Sequence, residues 1–143
     1  MGKHLRAATY DDYGLDKHRY LELVHFCRQY DRMKKQIRYG LKAVSNDGMP
    51  HGYEVGRPTE QAAIRNHAAE LYCGLIETAA YAAMKGLPDT CYHALMICVT
   101  QGIPYRLLPE VPLTQKDFYA RRRLFFGILN TRRAELVGGR NEG

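Results

Sequence analysis

No apolar run in this chain approaches the roughly 20 residues that a membrane-spanning helix needs, so no such helix is expected. The start, Met1-Gly2-Lys3-His4-Leu5-Arg6, is basic, but no apolar segment follows it. No secretion signal is therefore expected, and a cytoplasmic location follows by default. Close cysteine pairs are also missing. Cys27, Cys73, Cys91 and Cys98 are widely spaced and none forms a C-x-x-C unit, so zinc coordination is not indicated. His25 with Cys27 and Cys91 with His93 come nearest, yet residues two apart on a helix point in different directions. Buried reduced thiols are expected, with no metal and no cofactor. The glycines of Ser45 to Pro58 fit neither G-x-x-x-x-G-K-[ST] nor G-x-G-x-x-G, and no apolar strand precedes them, which excludes a phosphate loop. Lacking too are a G-x-S-x-G elbow and convincing paired carboxylates. His25-x-x-Arg28 with Tyr119 and several arginines matches the residue types of a tyrosine recombinase, but the chain has no room for that catalytic domain. Catalysis is not expected.

What is present describes a soluble helical protein. The 143 residues are 45% hydrophobic and 25% charged with a formal net charge of +6, a globular rather than disordered profile. Apolar spacing of three and four predicts a first helix over about 16–44, with Leu23, Cys27, Tyr30, Ile37, Leu41 and Val44 inward and Lys34 the one polar break. Arg28, Arg32, Lys35 and Arg38 fall on its opposite side. Turn formers from Ser45 to Pro58 predict a loop or short hairpin. A second helix then starts at a Thr59 cap and runs to Gly86 and Pro88, with Ile64, Ala68, Leu71, Leu75, Ala79 and Ala82 on one face. These two helices are expected to pair antiparallel, within one chain or as part of a dimer interface.

After Pro88 the rhythm shortens. Asp89 or Thr90 can cap a helix through Gln101, with Tyr92, Leu95, Met96 and Val99 inward and Gly102 as its left-handed stop. Pro104 opens a short helix over 105–108, and Pro109 and Pro112 enclose a turn. Thr114 then caps a last helix to about Arg133, with Asp117 at the third helical position. Phe118, Phe125, Ile128 and Leu129 give that helix an apolar stripe, and Lys116, Arg121, Arg122, Arg123, Arg132 and Arg133 oppose Asp117 alone. A helix that packs one side and offers cations on another is the form of a major-groove reader. The expected DNA-binding residues are Thr114, Gln115, Lys116, Tyr119, Arg121, Arg122, Arg123 and Arg106.

The run Asp117-Phe118-Tyr119-Ala120-Arg121-Arg122-Arg123-Leu124-Phe125-Phe126-Gly127-Ile128-Leu129 resembles the terminal helix of small phage-type regulators of Gram-positive bacteria, the RinA and ArpU-like group. In that group an F-Y-x-x-R-R-x-F-F-x-x-L pattern closes a domain similar to region 4 of sigma factors. Upstream, Cys27-Arg28-Gln29-Tyr30 and the stretch from Gly56-Arg57-Pro58-Thr59-Glu60 to Arg65 are similar to its C-R-Q-Y and G-x-P-T-E-x-x-A-I-R segments, so the likeness spans Tyr20 to Arg133. The resemblance implies sequence-specific regulation of phage or prophage late genes in a bacterial host. The turn Leu108-Pro109-Glu110-Val111-Pro112-Leu113 departs from the pattern in its prolines.

The expected architecture is therefore all-α. It comprises an N-terminal tail (1–15), a long helical hairpin (16–87), a C-terminal sigma region 4-like helix-turn-helix (88–135) and a flexible tail (136–143). Double-stranded DNA is the expected partner, with host RNA polymerase and a second copy of the chain as further candidates. The rival reading is a phage DNA-packaging subunit of the small terminase kind, which would combine the same modules in a ring.

Overall fold

The computed structural model describes the backbone over 9–45 and 52–142 and side chains over 9–37 and 60–136. It is all-helical over those residues: α1 (Lys17–Arg28), α2 (Tyr30–Ser45), α3 (Gly52–Ala83), α4 (Asp89–Gln101) and α5 (Gln115–Glu142), with single 3-10 turns at Asp11–Tyr13 and Tyr105–Leu107. Met1 to Arg6, residues 46–51 of the expected loop, and the side chains of Arg38, Leu41, Val44 and Thr59 lie outside the described set.

Asp16 starts α1 by accepting the Arg19 N–H at 2.8 Å, which satisfies one of the free donors of the first turn. The single helix expected over 16–44 is broken at Gln29. Tyr30 and Ile37 pack inward as their spacing implies, and between them Met33 is buried against Ala69 and Cys73. Lys34 turns outward and pairs with Glu77 at 2.8 Å.

α3 begins at Gly52, so residues 52–58 are helix rather than loop, and Thr59 lies inside the helix instead of capping it. Its buried positions are Ala69, Cys73, Ile76, Ala79, Ala80 and Ala83. Of the expected face, Ala79 is buried and Ala68, Leu75 and Ala82 are half-buried, but Ile64 and Leu71 are 69% and 41% exposed. Alanines on several sides of this helix hide which way it faces. They also let α2 and α5, its two main partners, approach closely.

α4 buries Cys91, Ala94, Leu95, Met96, Cys98, Val99 and Thr100. Pro88 precedes its first residue, so neither Asp89 nor Thr90 is the cap. Gly102 ends it as expected, at φ 73° with its N–H donating to the Cys98 carbonyl at 2.9 Å. All four thiols are free and buried. Thr114 caps α5 by accepting the Asp117 N–H at 3.1 Å. α5 then runs through Glu142, past the expected end at Arg133, so the stretch expected as a flexible tail is helical.

The expected separation of hairpin from C-terminal module does not hold, because one core joins them. Leu15, Leu23, Cys27, Ile76, Leu95, Phe118, Phe125, Phe126 and Leu129 belong to the same buried cluster. Residues 10–15 also join it rather than forming a tail. Leu15 is buried, and the Tyr10 ring lies 4.5 Å from Tyr20 and 6.3 Å from Phe126. Gly127 permits this: a methyl there would meet the Tyr13 ring at 2.7 Å.

Candidate nucleic-acid interface

The expected compact helix-turn-helix is not what connects α4 to α5. The short helix expected over 105–108 is a single 3-10 turn at Tyr105–Leu107. Residues 108–114 join it to α5, against the roughly three to four residues of that motif's turn, and α5 packs chiefly on α3. The connection is nevertheless tied to α5. The Tyr105 N–H donates to the Tyr119 hydroxyl at 3.0 Å, and the Tyr105 hydroxyl donates to the Leu113 carbonyl at 2.5 Å. The Tyr105 ring also lies 5.5 Å from Phe118. These contacts seat the 3-10 turn on the first two turns of α5.

The eight expected DNA-binding residues divide into two groups. Arg106, Thr114, Gln115 and Lys116 are exposed at the tip formed by the connection and the amino end of α5. Tyr119, Arg121, Arg122 and Arg123 are half-buried. Arg121 donates to the Ala83 carbonyl at 3.1 Å, satisfying a free acceptor at the negative end of α3. Arg122 donates to the Tyr20 hydroxyl at 2.8 Å and lies 5.5 Å and 5.8 Å from the ring centroids of Tyr119 and Phe126. Further along, the Arg133 guanidinium stacks 4.6 Å over Phe26 and pairs with Glu22 at 3.3 Å.

The physical reason is helical phase. Phe118, Arg122, Phe126, Leu129 and Arg133 follow steps of four, four, three and four, so the two arginines lie within the apolar stripe itself. The expected stripe of Phe118, Phe125 and Leu129 is fully buried, but Phe126 is buried as well and widens it. That spacing was visible in the sequence. Two residues with no such signal are Tyr20, which receives Arg122, and Arg28, whose guanidinium lies against Gly102.

Electrostatics support a structural role for the central tyrosines and thiols. Burial pushes the Cys27 thiol up to about 12 and raises Cys98, so neither is a ready nucleophile. Tyr10 is raised by burial and by the neighbouring Tyr20. Glu22 is held below the usual carboxylate range, first by its hydrogen bond from Arg19. Among the described residues no cluster of histidine, cysteine or carboxylate groups is placed to hold a metal, and no helix is long and apolar enough to cross a membrane. No family model matches the chain, and no curated protein or solved structure is significantly similar to it.

Proposed function

We propose that the chain binds double-stranded DNA and acts as a transcriptional regulator, with the tip at 106–116 as its reading edge. The observation that carries this reading is the presentation of Arg106, Thr114, Gln115 and Lys116. All four are exposed, on a turn and a capped helix start that Tyr105 and Tyr119 hold together. Major-groove helices contact base edges with their amino-terminal residues, and Gln, Lys and Arg are the side chains suited to those edges. Glu110 and Asp117 are exposed at the same tip. Local charge is therefore balanced there, and attraction to the duplex comes from the chain's +6 while the tip supplies direction. The half-buried Arg121, Arg122 and Arg123 shape the scaffold behind it. The regulatory part of the proposal, control of phage or prophage late genes, rests on the resemblance of Asp117–Leu129 and its upstream partners to the RinA and ArpU-like group.

Selection of bound sequences from random duplexes tests the reading, and a defined motif is the expected result. Arg106→Ala combined with Lys116→Ala should then weaken binding to that motif. The slope of affinity against salt should fall by about 0.9 for each phosphate that is no longer neutralised. Equal affinity and slope in the double variant would overturn the assignment of the tip.

A further inference from the structure

A cavity of about 130 Å³ lies behind the reading edge, where α1, the carboxyl end of α4 and α5 meet. Arg28, Gly102, Tyr119 and Arg122 line it over an apolar floor that includes Val24 and Phe126. Two guanidinium groups therefore converge on one small space, and no carboxylate lines it among the described residues. The carboxyl end of α4 offers partial negative charge to one of them. That leaves the second unmatched. Arg122 spends a donor on Tyr20, and its Nε is buried with no hydrogen-bond partner among the described residues. The faces of Tyr119 and Phe126 lie beside it and attract a cation but do not accept the Nε proton in its plane.

Gly102 has a second task here besides ending α4. A methyl on it would run into the Arg28 guanidinium, so the missing side chain makes room for that cation. Tyr119 accepts the Tyr105 N–H through its oxygen and so keeps its own proton to donate.

We propose that this cavity binds one oxyanion of the phosphate type. Guanidinium forks match the geometry of phosphate oxygens, and a bound anion would supply the charge that two converging arginines lack. The volume is well below the roughly 300–1,000 Å³ of pockets that take drug-sized ligands, so a single tetrahedral group fits and a whole nucleotide does not. Free phosphate or a phosphate of a DNA backbone would satisfy the same chemistry. Because Tyr119 also holds Tyr105, occupancy would be felt at the turn that carries Arg106.

Inorganic phosphate titrated into the full chain by calorimetry, with chloride at matched ionic strength as control, provides the test. Saturable one-site binding is expected, and Arg28→Gln, a change at an exposed side chain, should weaken it at least tenfold while leaving the melting curve near that of the parent. Absence of phosphate-specific binding, or equal binding by Arg28→Gln, would overturn the site. Where phosphate binds, a duplex titration in saturating phosphate assigns the source: loss of duplex affinity identifies a backbone phosphate as the natural occupant, and unchanged affinity a free oxyanion. The phosphate measurement contains no DNA, so it stands if duplex binding itself fails.

Discussion

The body of the molecule, where α1, α4 and α5 meet α3, is filled by large side chains, whereas among the described residues the arm formed by α2 and the middle of α3 buries a smaller set. Phe118, Phe125, Phe126, Leu95 and Leu129 are fully buried in the body. Among the described residues of the arm the buried set is Met33, Ala69 and Cys73, with Tyr30 and Ile37 partly covered. Small residues bring helices close but remove little apolar area from water. The arm compensates with polar contacts: the Tyr30 hydroxyl donates to Glu77, and Lys34 pairs with the same carboxylate. Helical content is thus a poor guide to where stability lies. The volume of the buried side chains is a better one.

Matched truncations break or sharpen this contrast most directly. Phe125→Ala should destabilise the protein by about 3–5 kcal/mol, because the ring is fully enclosed and its neighbours cannot close over the void. Met33→Ala should cost about 2 kcal/mol, at the low end for methionine, since its described buried neighbours are the small Ala69 and Cys73. Chemical denaturation supplies both values. Amide exchange should show the Met33 change confined to α2 and α3, while the Phe125 change lowers protection everywhere. Equal losses at the two sites would mean that arm and body share one cooperative core.

This division was only partly legible in the sequence. The body was the readable part: the cap at Thr114, the stop at Gly102 and the inward Phe118, Phe125 and Leu129 all followed from local chemistry and spacing. The arm was less so: Tyr30 and Ile37 pack inward as their spacing implies, but nothing local signals the break at Gln29 or the burial of Met33 between them, and alanines on several sides of α3 leave its direction undetermined. The arginine triplet misled for a related reason. Charge suggests solvent, yet Arg121 and Arg122 are drawn inward by a helix-end carbonyl and a phenol contributed by distant segments, Ala83 and Tyr20. Partners so remote in sequence leave no trace in local spacing.

An alkaline limit on stability comes next in size and touches both regions. In the body, burial raises Cys27, Cys98 and Tyr10. In the arm, burial and the Glu77 hydrogen bond raise Tyr30, and that carboxylate also raises Lys34. A group whose pKa is higher folded than unfolded contributes stability that is complete below its ordinary value and is lost as pH climbs toward the folded value. The melting temperature should therefore decline once pH passes 9.0, the ordinary thiol value, and more steeply beyond 10.0, the ordinary phenol value. Tyr30→Phe should be less stable at neutral pH, having lost the Glu77 bond, but its alkaline decline should be shallower. A parallel decline in the two proteins would place the alkaline weakness in the body alone.

The smallest expected effect is at the start of α5, and it separates the cap from the tyrosine latch. Thr114 satisfies the Asp117 N–H, while Tyr105 anchors the preceding turn to Tyr119 one helical turn further on. Thr114→Ala should cost about 1 kcal/mol, the usual loss for a capping hydroxyl, and Thr114→Asp should recover it because a carboxylate accepts the same N–H at the positive end of the helix. Urea denaturation measures the difference, and amide exchange at Asp117 locates it. A neutral Thr114→Ala would show that the latch alone fixes this helix start. The exposed side chains at 114–116 would then be free to vary without loosening the edge they form.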